Sequence, residues 1–221
     1  AKGFSSSYNV IALANSSGNL FIADRSNRYI RKVNANGIIS KVAEKNWGTI
    51  PGDIHPNGLT IDSSGNLFVS DSGTGKIFKI YPNDKVEVIA GNGDFNDHGD
   101  GGPALLAGIR SPGALAISPN NELYICEQQT HRIRKVDNSG HISLVAGTGK
   151  GGFSGDGGPA VGAQFQTPRD IVFDDSGNLY VTDRGNNRIR KIDPKGIITT
   201  IAGIGNFGYL QDGLEVNLIV H

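Results

Sequence analysis

This sequence has little cysteine, no methionine and no net charge. Its 221 residues contain one cysteine and no methionine, and 21 lysines and arginines balance 21 aspartates and glutamates. One thiol excludes an intrachain disulfide, and the apolar strand pattern around Cys126 predicts a buried, unreactive side chain. The zero net charge gives no general attraction to nucleic acid or anionic membranes. No apolar run reaches about 18 residues, so we expect no membrane span.

Glycine, by contrast, is abundant, with 32 residues, and one short motif occurs four times. The motif reads Gly65-Asn66-Leu67-Phe68-Val69-Ser70-Asp71 in one copy and Gly177-Asn178-Leu179-Tyr180-Val181-Thr182-Asp183 in another. The other two copies are centred on Phe21 and Tyr124. A repeat of roughly 50 residues indicates an array whose units bury their apolar faces against their neighbours. Residues present in every unit are expected to be structural, so function is sought in what differs between units.

The fourth unit predicts four short antiparallel strands joined by tight turns. Its β-forming segments 170–174, 179–182, 188–192 and 197–202 alternate with turns rich in Asp, Asn, Gly and Pro. A four-stranded meander repeated at this length predicts an all-β protein, a β-propeller of four blades. We expect one domain over 1–221, with blades at about 9–43, 57–90, 113–146 and 169–202 and connections at 44–56, 91–112, 147–168 and 203–221.

These residues resemble the NHL-repeat family over essentially the whole chain. In the fourth unit the resemblance rests on 168–174, on 177–183 and on Asn187-Arg188-Ile189-Arg190-Lys191-Ile192. It implies a propeller, and NHL propellers usually have six blades, whereas this chain carries four. We therefore expect either a closed four-bladed ring or a segment of a larger propeller, and the missing methionine favours the segment. An open arc would leave two blade faces for neighbouring domains or other copies to cover.

Two of the connections share the sequence Gly-Asp-Gly-Gly-Pro-Ala, at 99–104 and 155–160. They resemble loops of many bacterial and extracellular NHL proteins. We expect each connection to cross one face of the disc and to provide the binding surface. The candidate contact residues are Trp47, Phe95, Asp97, His98, Asp100, Phe153, Asp156, Phe207 and Tyr209.

Three aspartates of the first such connection, Asp94, Asp97 and Asp100, form a weak calcium candidate, because calcium requires several converging oxygens. The second connection keeps only Asp156. The favoured alternative is that these aspartates cap turns through their own backbone. No cofactor is predicted.

An acidic residue ends the second strand of every unit, and a cation or tyrosine follows five residues later. The acids are Asp24, Asp71, Glu127 and Asp183, and the later residues are Tyr29, Lys76, Arg132 and Arg188. Because the position recurs four times, we expect the acid to bind turn amides and to pair with the cation across the hairpin, and not to catalyse.

An enzyme and an RNA-binding module remain as alternatives. The resembled family includes peptidylglycine amidating lyases, whose zinc is held by histidines, but no two histidines here occupy equivalent inner-strand positions, and zinc needs three or four ligands. The cation-rich third strands suggest RNA binding. Successive side chains of a strand point to opposite faces, however, so a solvated outer rim with local ion pairs is favoured.

The sequence therefore predicts a non-enzymatic binding or assembly scaffold whose partner is another protein or another copy of the chain. A metal-dependent lyase or hydrolase is the first alternative, and an RNA-binding NHL module is the second. Asn15-Ser16-Ser17 is a candidate N-glycosylation site, and with the loop resemblance it favours an extracellular or secreted location. No nucleic-acid partner is expected.

Overall fold

The structure, a computed structural model, describes residues 11–14, 18–43 and 54–205 as four sheets of four antiparallel strands. The first blade contains β1 (Ile11–Ala14), β2 (Leu20–Asp24), β3 (Tyr29–Val33) and β4 (Ile39–Lys41). The second contains β5 (Pro56–Ile61), β6 (Leu67–Asp71), β7 (Lys76–Ile80) and β8 (Val86–Ala90). The third contains β9 (Pro112–Ile117), β10 (Leu123–Glu127), β11 (Arg132–Val136) and β12 (Ile142–Ala146). The fourth contains β13 (Pro168–Phe173), β14 (Leu179–Asp183), β15 (Arg188–Ile192) and β16 (Ile198–Ala202).

The inner strands β1, β5, β9 and β13 contact one another in that order, so the blades stand side by side. This arrangement confirms the predicted all-β fold of four-stranded antiparallel blades. Within the described ranges no comparable strand contact joins blade 4 back to blade 1. Side by side, the four described blades form an arc. The described part has no helix long and apolar enough to cross a membrane.

The hairpin turns show why the repeated Asp and Gly positions are needed. In blade 4 the Asp174 carboxylate accepts hydrogen bonds from the backbone N–H groups of Ser176 and Asn178, at 3.0 and 2.8 Å. Gly177 has a φ of +81°, a value that favours glycine, and its N–H donates to the Asp174 carbonyl. An Asp side chain that binds the backbone two residues later stabilises a tight turn. The carboxylate thus fixes the turn that sets the strand register.

The apolar core lies between successive blades, and the connections contribute to it. Between blades 3 and 4, Ile133 and Ala146 pack with Ala160, Ala163 and Phe165 of the connection, and all five are buried. Cys126 is fully buried in the same cluster, as predicted, and burial raises the pKa of its thiol. The connections at 91–112 and 147–168 therefore fill the junctions that they span.

The Gly-Asp-Gly-Gly-Pro-Ala segments pair with the outer strand of the following blade. The Gly101 N–H donates to the Ile142 carbonyl and the Ile142 N–H donates to the Gly102 carbonyl, at 2.7 and 2.9 Å. Gly157, Gly158 and Ile198 make the same two bonds at the next blade, at 2.8 and 3.0 Å. These segments thus have a structural role besides connecting the blades, because their backbone satisfies the hydrogen-bonding groups of an edge strand.

Candidate functional site

In blades 2, 3 and 4 the acid that ends the second strand anchors the connection that enters the same blade. The Asp71 carboxylate accepts from the His55 N–H at 2.8 Å, and the Asp183 carboxylate accepts from the Gln166 N–H at 2.7 Å. Glu127 accepts from the Arg110 N–H at 3.1 Å. All three acids are fully buried. The expected binding of a turn amide is confirmed for Asp71, which also accepts from the Gly73 N–H at 2.8 Å.

The cation that pairs with this acid lies seven residues after it, and not five as expected. Arg31 Nε donates to Asp24 at 2.5 Å, and Arg134 Nη1 lies 3.4 Å from Glu127. Arg190 Nη1 lies 3.5 Å from Asp183. In the register of β10 and β11, Arg134 stands opposite Ile125 and is therefore a diagonal neighbour of Glu127. A diagonal neighbour is within reach of a side chain as long as arginine.

Arg134 and Arg190 are completely buried, and each holds one connection in place. Arg134 donates to Asp100 Oδ1 at 2.8 Å and to the carbonyls of Gly108 and His98, at 2.8 and 3.0 Å. Five fixed N–H donors allow one guanidinium to bind several acceptors at once. The expectation of a solvated rim is wrong for these two arginines, because a desolvated guanidinium needs the carboxylate and carbonyl partners that the connection supplies.

The equivalent group in blade 4 has the same construction. Arg190 donates to Asp156 Oδ1 at 2.8 Å and to the carbonyls of Ser154 and Gln164, at 3.0 and 3.3 Å. The second Asp156 oxygen accepts from the Thr200 hydroxyl at 2.7 Å. Asp156 therefore joins the connection to both outer strands of the blade.

Burial dominates the acid–base chemistry of these clusters. Desolvation raises the pKa of Glu127 to about 7, although Arg134 opposes the shift. Desolvation likewise raises the pKa of Asp183, and its hydrogen bonds with Asn186 and Gln166 act in the opposite direction. Each acid has an arginine, a backbone amide and further polar neighbours, so a structural use accounts for the perturbed pKa values.

The three aspartates of the calcium candidate point to different partners. Asp94 accepts from Asn96 and lies 3.3 Å from His98, Asp97 pairs with Arg132, and Asp100 binds the buried Arg134. No group of three or more His, Cys, Asp or Glu in the described ranges is placed to hold a metal ion. The calcium interpretation is corrected, because each carboxylate is already turned toward a neighbour that it neutralises or caps.

The remaining candidate contact residues divide into two groups. Phe95 is 44 % exposed and Phe153 is 40 % exposed, and His98 is also exposed. Phe153 is partly used within the chain, because the Arg188 guanidinium lies 3.7 Å from its ring centroid. Trp47, Phe207, Tyr209 and the glycosylation candidate Asn15 lie outside the described residues.

Several of the cations required by the RNA-binding interpretation have partners within the chain. Lys79 lies over the rings of Phe68 and Tyr81, at 5.3 and 5.0 Å from their centroids. Lys135 binds Glu122 at 2.8 Å. A phosphate backbone would have to compete with these contacts for each cation.

A cavity of about 680 Å³, which the sequence did not predict, opens beside the inner strands. Leu59 and Leu115 of blades 2 and 3 line it, and blade 4 contributes charged and apolar groups. The blade 4 residues are Arg169, Asp170, Thr182, Arg184, Asn187, Arg188, Ile189, Ala202 and Gly203. At the positions of Arg169 and Asp170, blades 2 and 3 have the uncharged pairs Asn57-Gly58 and Gly113-Ala114. This difference between units was the sequence signal that could have indicated the cavity.

Comparisons with known proteins identify the class of protein first. Virginiamycin B lyase from Staphylococcus aureus has a TM-score of 0.61 at 20 % identity, over 86 % of this chain and 54 % of the lyase chain. A protein of unknown function from Bacteroides thetaiotaomicron has a TM-score of 0.68 at 20 % identity, over 81 % and 46 %. Likeness at this identity concerns the fold alone, and together with the four blades it defines a β-propeller.

The repeat type is identified by sequence. The family described as the Teneurin NHL domain matches residues 150–211. Human Teneurin-4 is 44 % identical over 102 residues, which are 40 % of this chain and 4 % of that protein. The chain thus spans only a small part of the curated relatives that it matches. These matches and the four repeated units confirm the resemblance to NHL-repeat β-propellers.

Proposed function

We propose that this chain is a non-enzymatic NHL-repeat binding module, a single four-bladed unit that presents its connections to a protein partner. The partner is a different protein or another copy of the chain. Similarity to the Teneurin NHL domain supports an interaction role. The sequon at Asn15 and the loop resemblance support an extracellular or secreted location as part of the same proposal.

The proposal rests on the different surroundings of the charged and the apolar residues of the connections. Their charged groups Asp97, Asp100 and Asp156 bind arginines of the following blade. Their outward apolar groups are left for contact with a partner, since Leu105 is 52 % exposed and Leu106 is 66 % exposed. Adjacent exposed leucines, and the exposed Phe95 of the same connection, are suited to anchor an interface.

The test compares the purified chain with the double variant L105S/L106S and with K195Q, a control in an exposed turn. Proteins cross-linked to the chain are identified by mass spectrometry, and the dissociation constant of each purified partner is then measured. We expect L105S/L106S to weaken binding by about tenfold or more, since two apolar anchors are lost, and K195Q to leave it unchanged. Equal binding by all three proteins, or stoichiometric zinc in elemental analysis, would contradict the proposal.

A further inference from the structure

The residue that precedes each third strand has a left-handed backbone, and in blade 3 alone it is a histidine. Arg28, Gly75, His131 and Asn187 occupy this position in blades 1 to 4, with φ values between +50° and +65°. Gly and Asn suit this conformation, and histidine adopts it more often than most other residues do. Of these four residue types, only histidine ordinarily changes its charge between about pH 5 and 8.

The half-buried ring of His131 binds the end of the connection that enters blade 4. The Thr167 N–H donates to His131 Nδ1 at 3.0 Å. A backbone amide can only donate, so Nδ1 carries no proton and the ring is neutral in this arrangement. Thr167 has a φ of +53°, which is rare for a β-branched residue and persists only where neighbouring contacts hold it. The hydrogen bond to the ring is one of these contacts.

At the preceding junction, glycine stands at the position of this histidine. A Cβ on Gly75 would lie 3.4 Å from the Phe95 ring of the connection. In the next connection the equivalent of Phe95 is Gly151, where a Cβ would lie 3.1 Å from His131 Nε2. The two junctions thus fill the same gap from opposite sides, one with a phenyl ring of the connection and the other with an imidazole of the hairpin. Of the two rings, only the imidazole can accept a hydrogen bond through nitrogen and gain a proton.

Charged groups occur on each of the three segments that meet at the His131 ring or at the neighbouring Gln166. They are Glu127 and Arg132 of the hairpin, Lys150 of the connection, and Asp183 and Arg184 of the blade 4 turn. The first two and Asp183 form ion pairs with other side chains, whereas Lys150 and Arg184 are exposed. Burial raises the pKa of Glu127 to about 7, so this carboxyl also titrates near neutral pH. Its protonation stabilises the fold as the pH falls, which is opposite in sign to the loss of a hydrogen bond at His131.

We propose that His131 and Thr167 form a pH-sensitive latch on the connection between blades 3 and 4. The neutral ring accepts from the Thr167 N–H, whereas an imidazolium carries protons on both nitrogens and turns a donor toward a donor. The latch is therefore closed at the pH at which histidine is neutral, and it opens as the pH falls through the range in which histidine gains its proton. Opening frees the end of a connection on which Phe153 and Val161 are 40 % and 48 % exposed.

The latch acts on the chain alone and therefore goes beyond the proposed function. Only its effect on a partner bound to Phe153 and Val161 rests on that function. The experiment consequently needs no partner. It measures by NMR the hydrogen-exchange protection of the Thr167 amide at about pH 7.5 and about pH 5, relative to an unstructured peptide at the same pH.

We expect the protection of the Thr167 amide in the wild type to fall by about tenfold or more at the lower pH. H131N introduces the residue that blade 4 has at this position, and its Thr167 protection is expected to be equal at both pH values. Glu127 still titrates in this variant, so the comparison isolates the histidine. H141N makes the same substitution at an exposed histidine of the same blade and is expected to behave as the wild type.

The ring itself provides a measurement that needs no variant. The nitrogen-15 chemical shifts of His131 are expected to show an unprotonated Nδ1 at the higher pH and a protonated one at the lower pH. A proton on Nδ1 at the higher pH would overturn the inference, and so would Thr167 protection that does not change with pH or that changes equally in H131N. The binding test with L105S/L106S does not involve His131, so failure of the latch and failure of the proposed function are distinguishable.

Discussion

Asp97 and Phe153 occupy equivalent positions in two successive connections, and each covers the arginine that opens the third strand of the following blade. Asp97 forms an ion pair with Arg132, whereas Phe153 stacks on Arg188 with 3.7 Å between the guanidinium carbon and the ring centroid. The two junctions thus bind equivalent arginines through different interactions, an ion pair in one and ring stacking in the other. An aromatic face attracts a guanidinium through its quadrupole, and a carboxylate does so through its charge.

The first prediction concerns the replacement of the Phe153 ring by a carboxylate. F153D is expected to keep the free energy of unfolding within about 1 kcal/mol of the wild type, because the new carboxylate can pair with Arg188 as Asp97 pairs with Arg132. F153A is expected to lose about 1 to 3 kcal/mol, since it removes the stacking and the buried part of the ring. Urea denaturation measures both values. A greater loss in F153D than in F153A would show that the two positions are not interchangeable.

The second prediction concerns the buried guanidinium of blade 4. R190K is expected to lower the free energy of unfolding by about 3 kcal/mol, because an ammonium cannot bind Asp156 and the Ser154 and Gln164 carbonyls in the same planar geometry. The connection should then become more accessible. Limited proteolysis should cut within 150–167 of R190K sooner than in the wild type. The exposed change K195R serves as the control, and equal stability of R190K and K195R would argue against the anchoring role.

The third prediction is the pH dependence that follows from Glu127. Burial raises its pKa in the folded chain to about 7, above the usual value of 4.5. The stabilising contribution of the protonated carboxyl is therefore fully present below pH 4.5 and is lost as the pH rises through about 7. In E127Q this contribution does not titrate. The free energy of unfolding of the wild type should fall relative to that of E127Q by about 3 kcal/mol between those limits.

Urea denaturation of both proteins across that pH range measures the difference. A constant difference between the wild type and E127Q would show that Glu127 titrates normally in the folded chain. A difference that changes in the opposite direction would show that Arg134 outweighs burial and keeps the carboxylate charged.

The strands could be predicted because their signals are local. The third strand of the fourth unit was expected at 188–192, and β15 occupies those residues. Alternation of apolar residues and turn-forming Asp and Gly act within a few residues, so one repeat determines its own hairpins. The recurrence of the acid at the end of the second strand likewise indicated a structural role before any partner was known.

The choice of buried arginine could not be predicted, because it depends on contacts about 34 residues apart. Arg132 and Arg134 lie on the same side of β11, and only the path of the connection decides that Asp100 meets the second of them. The residue type at this position did not settle the question either, because blades 1, 3 and 4 have arginine there and blade 2 has Phe78.

The fourth prediction concerns the glycine that begins each connection. At Gly147 φ is +94°, and an added Cβ would lie 2.2 Å from the His131 carbonyl oxygen. Gly140, in a turn of the same blade, has a φ of +79° but open space around the position of a Cβ. G140A is therefore expected to cost about 1 kcal/mol, the penalty of the left-handed conformation alone. G147A is expected to cost about 3 kcal/mol or more, because the backbone of the β10–β11 turn must also move. Thermal and urea denaturation of the two variants compare the same substitution in the same blade, and equal losses would show that the close approach at Gly147 relaxes without cost.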